Sequence, residues 1–370
     1  MEDKKKLITI VLGTRPEAIK LVPVIDTFKK CIKFETRVII TGQHKEMVHQ
    51  VLKIFDIEVQ KDLNIMREKQ SLTQITCLVL NGLKEDFKNN KPSLVIVQGD
   101  TSTAFAAALA AFYEQIPVGH VEAGLRTNQL NDPFPEEANR RLISQISSLH
   151  FSPTKGSKRN LMNSGINGII EVTGNTVIDA LFLISKKDMV PKLTGINWKK
   201  KVIFVSVHRR ENWGIRLQNI IKGLEMILEE YKDVILLLPL HPNPIVREPF
   251  LDAFQRKERV ILISPLNYLE LVGTIKNCYA LLTDSGGLQE EAPSLGKPVL
   301  VLRKTTERPE AIAAGTSKLI GTDPKSILKE TGTLLTNKKA YQKMAKALNP
   351  FGDGKASIRI LKTCKEFLNL

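Results

Sequence analysis

Three acidic residues stand in short motifs that could carry acid–base chemistry. Asp100 and Glu122 each follow an apolar stretch rich in β-branched residues, and Glu136 follows Pro135 at the predicted start of a helix. Carboxylates grouped at the mouth of one domain are typical of general acid and base catalysis. A structural role would also explain two of these acids taken singly, because Asp100 could cap a helix and Glu136 could pair with Arg140 four residues later. Three such motifs in one half of the chain favour catalysis.

Three basic motifs could bind phosphate. Arg15 lies in the loop Gly13-Thr14-Arg15-Pro16-Glu17, which leads from an apolar stretch into a predicted helix. The first N–H groups of a helix attract anions, although glycine and proline also start helices for purely structural reasons. His208 is followed by two arginines, and Arg308 precedes Pro309. One arginine side chain can donate two parallel hydrogen bonds to a phosphate, and histidine adds a donor that can be charged.

The segment from Thr283 to Pro293 carries the most specific signal for a nucleotide. Ser285, Gly286 and Gly287 lie between a predicted strand and a predicted helix, where their backbone N–H groups could cradle a phosphate. Glu291 follows one turn later and could accept the two hydroxyls of a ribose. The G-x-G-x-x-G fingerprint of dinucleotide sites occurs nowhere in the chain, so no nicotinamide cofactor is expected.

These motifs follow short apolar runs that alternate with helical-period segments nearly from end to end. The alternation predicts an α/β fold of parallel sheets, in which ligands bind at the carboxyl ends of the strands. In the first half the predicted strands are Leu7–Leu12, Thr36–Thr41, Leu94–Gln98, Val118–Val121, His150–Ser152 and Ile169–Val172. In the second half they are Val202–Val207, Val234–Leu238, Val260–Ile263, Ala280–Thr283 and Pro298–Leu302. We therefore predict two doubly wound, Rossmann-like domains that face a cleft.

The stretch from Lys186 to Lys201 is the natural linker between these domains. Residues 1–185 form the predicted first domain, with the carboxylates, and residues 186–355 form the second, with the nucleotide motif. Residues 356–370 are expected to form a C-terminal helix that could pack back on the first domain. A chain of 370 residues is of the right length for two domains of ordinary size.

Composition excludes several classes of protein. The hydrophobic fraction of 42% and the charged fraction of 25% are those of a globular chain. The net charge of +15 comes from scattered lysines without any nucleic-acid recognition motif, so no nucleic-acid partner is expected, although the basic field would suit a small anionic substrate. Neither a signal peptide nor a membrane-inserted segment is recognisable, which predicts a cytoplasmic protein. Four widely spaced cysteines indicate neither a disulfide framework nor a zinc site, and no metal is expected.

Taken in order, the motifs resemble those of the non-hydrolysing UDP-N-acetylglucosamine 2-epimerases, a family similar in fold to the two-domain B-type (GT-B) glycosyltransferases. The resemblance covers nearly the whole chain. It rests on seven collinear segments: Gly13 to Lys20, Gln98 to Thr101, His120 to Thr127, Pro135 to Arg140, His208 to Asn212, Ser285 to Pro293 and Thr306 to Ala311.

The resemblance implies roles for individual residues. The catalytic group would be Asp100, Glu122 and Glu136, supported by Arg140 and His208. The contacts to the UDP-sugar would come from Arg15, Lys20, Ser285, Gly286, Gly287, Glu291 and Arg308. The implied partners are UDP-N-acetylglucosamine and UDP-N-acetylmannosamine, no cofactor is implied, and a homodimer is expected.

Bacterial members of this family bind a second substrate molecule beside the active site. The corresponding positions here are Gln43, Glu46, Lys69, Arg210 and His241. Glu46 stands where those enzymes often carry Gln, and Lys69 stands where they carry Arg. A carboxylate repels a diphosphate, and lysine cannot supply the bidentate fork of arginine. We therefore expect weaker activation by substrate than in those relatives.

The chemistry of the substrate favours elimination. The C2 proton of such a sugar is not next to a carbonyl group, so its direct removal is implausible. Oxidation of a neighbouring carbon would need a nicotinamide. The remaining route removes the C2 proton as UDP leaves C1, giving a glycal, and UDP then adds back with a proton delivered to the opposite face. This route requires basic groups that stabilise the departing diphosphate and a site screened from water.

Three other functions remain open on the sequence. A hydrolysing 2-epimerase would release free N-acetylmannosamine and UDP, but its family usually departs from the Arg15-Pro16-Glu17 form of the first loop. A GT-B glycosyltransferase would need an acceptor pocket rather than three clustered acids. A non-catalytic UDP-sugar sensor could keep the nucleotide motif but would not need the acids.

Overall fold

The computed structural model describes residues 5–43, 45–67, 70–127, 129–186 and 196–370. The chain forms two compact units, one of Met1–Phe182 with Phe351–Leu370 and the other of Leu183–Pro350. Within the described residues, each unit contains one wholly parallel β-sheet flanked by helices. No helix in this part of the chain is both long and apolar enough to span a membrane.

The first unit contains a seven-stranded sheet in the order β3-β2-β1-β4-β5-β6-β7. Its strands are β1 (Lys6–Leu12), β2 (Phe34–Ile40), β3 (Lys61–Asp62), β4 (Leu94–Gln98), β5 (Val118–Val121), β6 (Leu149–Ser152) and β7 (Ile169–Val172). The helices between them are α1 (Arg15–Lys29), α2 (Lys45–Ile54), α3 (Leu72–Asn89), α4 (Ser102–Tyr113), α5 (Glu136–Ile146), α6 (Lys155–Asn163) and α7 (Thr176–Ser185). The central strands are buried over nearly their whole length, as expected for a sheet covered on both faces.

The second unit contains a six-stranded sheet in the order β10-β9-β8-β11-β12-β13. Its strands are β8 (Lys201–Ser206), β9 (Val234–Pro239), β10 (Val260–Ile263), β11 (Ala280–Thr283), β12 (Val299–Val301) and β13 (Ser317–Leu319). Its helices are α8 (Ile215–Glu230), α9 (Pro244–Phe254), α10 (Tyr268–Asn277), α11 (Gly286–Ser294), α12 (Pro309–Ala313), α13 (Pro324–Thr336) and α14 (Lys338–Ala345). The last helix, α15 (Ala356–Phe367), belongs to the first unit, where it packs on α1.

Alternation of side chains along β8 explains the two cores of the second unit. Ile203 and Val205 face one hydrophobic cluster, whereas Val202 and Phe204 face the other. Successive residues of a strand point to opposite faces, so a run of apolar residues supplies both sides of a covered sheet. The continuous apolar strands in the sequence have this origin.

The predicted class of two doubly wound parallel α/β domains is confirmed. Each strand predicted from the sequence is present, with ends that differ by at most two residues. The sequence analysis missed β3 and β13, which lie at the edges of their sheets. Both are short, and Lys61 and Asp62 in β3 lack the apolar character by which the other strands were recognised.

Candidate active site

Asp100 and Glu122 lie side by side at one end of the first sheet. β4 and β5 are parallel neighbours, and Gln98 at the end of β4 pairs with Val121 at the end of β5. Glu122 follows Val121 directly, and Asp100 follows Gln98 after Gly99. Since β1 also borders β4, the loop with Arg15 emerges at the same edge. Ligands bind at such positions in doubly wound sheets.

The Glu122 carboxylate is held by donors from three elements. Nζ of Lys20 in α1 contacts both of its oxygens at 2.5 and 2.7 Å. The side-chain amide of Gln98 donates to it at 2.5 Å, and that of Asn175, just before α7, donates at 2.9 Å. The backbone of Glu122 has a φ of 65°, which is unusual for a residue other than glycine and is often found at functional sites. Glu122 is thus fixed in both backbone and side chain.

Asp100 pairs with Arg140 of α5. Nε of Arg140 lies 3.0 Å from the Asp100 carboxylate, and Nη2 contacts the same oxygen. Burial raises the pKa of Asp100, with a further upward contribution from the charge of Glu122, while Arg140 and Lys20 act in the opposite direction. A carboxylate with a raised pKa beside a second carboxylate is suited to exchange a proton with a substrate.

Glu136 is the first residue of α5 and is half-buried. Among the described residues, no side chain forms a hydrogen bond or ion pair with it. The next residue, Glu137, is fully buried, and its carboxylate forms hydrogen bonds and ion pairs at the start of α5. It accepts from Thr127 N at 3.0 Å and from Arg141 Nε at 2.7 Å, and it lies 3.2 Å from Arg140 Nη1. Arg140 therefore bridges Glu137 and Asp100 rather than pairing with Glu136.

The start of α1 is occupied by a side chain of the protein itself. Glu17 accepts hydrogen bonds from Gly13 N at 2.9 Å and from Thr14 N at 2.6 Å, so these N–H groups are not available to a phosphate. Its other oxygen accepts from the hydroxyl of Thr101 at 2.6 Å. Burial raises the pKa of Glu17. The half-buried Arg15 side chain makes no hydrogen bond to a described residue, so it is the remaining candidate for anion binding in this loop.

In the second unit, Asp284 organises the segment that contains His208. Asp284 follows β11, is completely buried, and accepts from the backbone N–H groups of His208 at 3.1 Å and of Arg209 at 2.9 Å. The amide of Asn212 donates to it at 2.9 Å. Nδ1 of His208 lies 3.2 Å from the same carboxylate. A carboxylate at this distance favours the ring proton on Nδ1, and Nε2 is then the atom that can meet a ligand.

The surroundings of His208 lower its pKa on balance. Burial lowers its pKa, the charge of Asp284 acts in the opposite direction, and Arg209 adds to the lowering. The ring of His241 stacks beside it, with centroids 6.3 Å apart. An incoming anion would favour protonation of His208, since a nearby opposite charge stabilises the charged form.

The N-terminus of α11 is flanked by two guanidinium groups. α11 begins at Gly286 directly after Ser285. A Cβ atom on Gly286 would lie 3.6 Å from Nη2 of Arg209 and 3.9 Å from Cζ of Arg308, so a glycine leaves room for a ligand beside both. Arg308 is itself oriented by an ion pair with the buried Glu290. Helix N–H groups next to arginines form an anion site.

Glu291 lies one turn further along α11 and is buried. The hydroxyl of Tyr268 donates to one of its oxygens at 3.1 Å. Nearby, a cavity of about 200 Å³ is walled by apolar side chains, among them Leu266, Leu271 and Leu288. Its polar lining comes from Ser206, His208, His241 and Ser285. An apolar slot with a few polar groups at its rim suits a planar base attached to a phosphorylated sugar.

The positions expected for regulation are distributed over both units. Gln43 accepts a hydrogen bond from Thr103 at 2.9 Å, and Glu46 is exposed in the first turn of α2. Arg210 lies over the ring of Trp213, 5.9 Å from its centroid. His241 follows β9 and stacks on His208, as described above. Lys69 lies outside the described residues.

The sequence of the whole chain matches one family of enzymes. The model of the UDP-N-acetylglucosamine 2-epimerase family matches residues 26–365. UDP-N-acetylglucosamine 2-epimerase of Escherichia coli K12 is 48% identical over 365 residues, which cover 96% of this chain and 97% of that protein. The chain belongs to the UDP-N-acetylglucosamine 2-epimerase family. The resemblance seen in its motifs is thus confirmed at the level of this family.

Solved structures of the epimerase family agree in fold. That of the Neisseria meningitidis UDP-GlcNAc 2-epimerase bound to UDP-GlcNAc has a TM-score of 0.88 and 47% identity, and covers 97% of this chain and all of that one. That of the Methanocaldococcus jannaschii enzyme in complex with UDP-GlcNAc and UDP has a TM-score of 0.79 and 34% identity, with coverage of 97% and 99%. Both of these relatives bind the nucleotide sugar.

The sequence analysis did not identify several residues that hold the site together. Glu17, Glu137 and Asp284 are buried acids that hold other site residues, and each stands inside a motif already singled out. Asn175 and Tyr268 lie outside those motifs. For Asp284, directly after the apolar strand β11, a polar residue at the end of an apolar segment was the available signal. Buried polar groups of this kind are normally hydrogen-bonded.

Proposed function

We propose that the protein interconverts UDP-N-acetylglucosamine and UDP-N-acetylmannosamine as a non-hydrolysing isomerase. The observation that carries the proposal is the pair formed by Asp100 and Glu122, which lie together with Lys20 and Arg140 at the carboxyl ends of adjacent strands. A glycosyltransferase or a binding protein has no evident use for such a pair. From the family resemblance we further propose a homodimer that works in the cytoplasm.

The reaction proceeds by elimination and re-addition. A base takes the C2 proton, the electrons of the C2–H bond form a C1–C2 double bond, and the C1–O bond breaks with its electrons on the diphosphate. The resulting 2-acetamidoglucal then receives UDP at C1 and a proton at C2 on the opposite face. No redox partner is consumed, and the products have the composition of the substrate.

Asp100 and Glu136 are the proposed proton carriers. Its raised pKa makes the Asp100 carboxylate a stronger base toward the C2 proton. Glu136 is half-buried and forms no hydrogen bond with a described residue, so its carboxylate can approach the sugar. Glu122 is engaged by Lys20, Gln98 and Asn175, and it serves as a fixed negative charge that raises the pKa of Asp100.

The second unit binds the UDP moiety. The N-terminus of α11 and Arg308 contact the diphosphate, and Glu291 accepts the ribose hydroxyls with the oxygen lone pairs that Tyr268 leaves open. His208 presents Nε2 to the phosphate, and a ring protonated from solvent when the anionic substrate binds donates Nε2–H to the negative charge that develops on the leaving group. Electrostatic stabilisation of that charge is the main contribution expected from this unit.

The test is an NMR assay in D2O with UDP-N-acetylglucosamine as the only substrate. We expect UDP-N-acetylmannosamine to appear, with deuterium at C2 of both nucleotide sugars, because elimination exchanges that proton. Free N-acetylmannosamine with UDP would identify a hydrolysing enzyme. Turnover that begins only when an acceptor is added would identify a transferase, and unchanged substrate with bound nucleotide would identify a sensor. Epimer formed without deuterium would overturn the proposed base.

A further inference from the structure

The peptide before Asp100 is held from two sides. Gly99 has a φ of 72°, a left-handed conformation that favours glycine. Its N–H donates to the carbonyl of Val121 at 3.0 Å, and its own carbonyl accepts a hydrogen bond from Nε2 of His120 at 2.7 Å. His120 is completely buried in β5. The direction in which the chain leaves β4 toward Asp100 is therefore set by a residue of the neighbouring strand.

The His120 ring has a single polar role. A carbonyl oxygen has no proton to give, so Nε2 must be the donor and carry the ring proton. Burial lowers the pKa of His120 to about 3, and the ring is neutral at physiological pH. No described group bonds to its Nδ1. Because the ring is completely buried and its bonded nitrogen faces a peptide carbonyl, the contribution of His120 is geometric.

His120 also precedes Glu122 by two residues in the same chain segment. One residue thus connects both acids, through its backbone to Glu122 and through its ring to the peptide before Asp100. We propose that His120 is a positioning residue, whose Nε2–H bond to Gly99 fixes the spacing between Asp100 and Glu122. The proposal rests on the epimerase function proposed above, because proton transfer is the step that requires this spacing.

Other contacts of the Asp100 loop would survive the loss of this bond. The Asp100 carbonyl accepts from the amide of Asn139 at 2.9 Å, and the Thr101 hydroxyl donates to Glu17 at 2.6 Å. Both partners are buried. The loop should therefore shift rather than unfold when His120 is changed. A displacement of the order of 1 Å in a reacting group can cost about 100-fold in rate.

His150 provides a matched control. It lies in β6 directly opposite His120 in the strand register. It is also fully buried, burial also lowers its pKa, and its Nε2 also contacts a backbone carbonyl, that of Asn167 at 3.1 Å. That carbonyl belongs to the turn before β7 and carries no predicted catalytic residue. The two histidines are alike in burial and in bonding a backbone carbonyl through Nε2. They differ in that the carbonyl bonded by His120 adjoins Asp100, whereas the one bonded by His150 adjoins no predicted catalytic residue.

The experiment compares Leu and Gln variants at the two positions in the D2O epimerisation assay. We expect His120→Leu to lower kcat about 100-fold while KM stays within roughly three-fold, because the nucleotide motif is untouched. His120→Gln places an amide N–H near the position of Nε2 and should recover most of the lost kcat. The corresponding His150 variants should change the melting temperature but leave kcat within roughly three-fold.

The outcomes separate this proposal from the proposed function. A wild-type protein that does not epimerise overturns the proposed function and this proposal with it. An active wild type whose His120→Leu variant keeps its kcat, or loses no more than His150→Leu, overturns the positioning role alone. If the Leu variant does not fold, His120→Asn carries the test, because its amide is too short to reach Gly99. It should then lose kcat where His120→Gln retains it.

Discussion

Arg140 is the cation in direct contact with Asp100, and its removal should move the pH dependence of the reaction. Nε and Nη2 of Arg140 both contact one Asp100 oxygen, and the two side chains are 12% and 24% exposed. We predict that Arg140→Met raises the pKa of Asp100 further. The acid limb of kcat/KM, which falls as the free enzyme's base becomes protonated, should therefore move to higher pH.

The size of this shift follows from the contact. An opposite charge within hydrogen-bonding distance changes a carboxyl pKa by about 1–3 units. Because the pair retains some contact with solvent, the lower end applies, and a shift of about one unit corresponds to about 1.4 kcal/mol. The sign is fixed: the positive charge favours the ionised carboxylate, so its loss favours the protonated form. The acid limb cannot move to lower pH through this interaction.

The assay is a pH profile of kcat/KM, measured for wild type, Arg140→Met and Arg141→Met. Arg141 is the matched control, since it lies on the same helix and pairs with Glu137 but does not contact Asp100. We expect its profile to follow that of wild type. An acid limb that stays in place in Arg140→Met, or that moves equally in both variants, would show that Asp100 is not the group titrating in that limb.

Two further predictions concern the division of roles and regulation. Amide substitutions of the three predicted acids should abolish most turnover with UDP affinity unchanged within roughly three-fold, whereas Arg308→Ala and Glu291→Ala should weaken UDP binding, as measured by calorimetry. Loss of UDP binding with turnover preserved in the amide variants would invert the assignment. With Glu46 and Lys69 at regulatory positions, rate against UDP-N-acetylglucosamine should show little sigmoidicity, and reverse turnover should occur with UDP-N-acetylmannosamine alone. A strongly sigmoidal curve without reverse turnover would show full activation despite both residues.

The strands could be predicted because a covered parallel sheet demands continuous apolar runs. Asp100 and Glu122 follow strands that are consecutive in the sequence. Their proximity could be expected only if those two strands are also neighbours in the sheet. The actual order, in which β1 borders β4 and β4 borders β5, is a long-range property of the sheet. The contact of Lys20 with Glu122 spans 102 residues of sequence, and no local pattern encodes it.

The details of the α1 and α5 starts show where local patterns were insufficient. A glycine and a proline before a helix predicted open N–H groups, but Glu17 folds back onto Gly13 and Thr14. This is the capping interaction that a Thr with Glu three residues later makes possible. In α5, Glu136 and Glu137 are adjacent acids, and both are close enough in sequence to pair with Arg140. The face of the helix that is buried decides that Glu137 is the partner.

The charges around Asp100 explain how one set of residues could support both directions of the proposed reaction. Asp100 and Glu122 carry two negative charges, Lys20 and Arg140 carry two positive charges, and the four side chains are neutral as a set before reaction. When Asp100 accepts the C2 proton, the set acquires a net positive charge in the same step in which the diphosphate gains a negative one. In the re-addition step the second proposed carrier, Glu136, delivers a proton to the opposite face of C2 while the diphosphate loses the charge that it gained, and the two carriers exchange roles in the reverse reaction. Because the cations are held by the carboxylates in advance, little reorganisation is needed in either direction, which is the condition for electrostatic catalysis by a preorganised site.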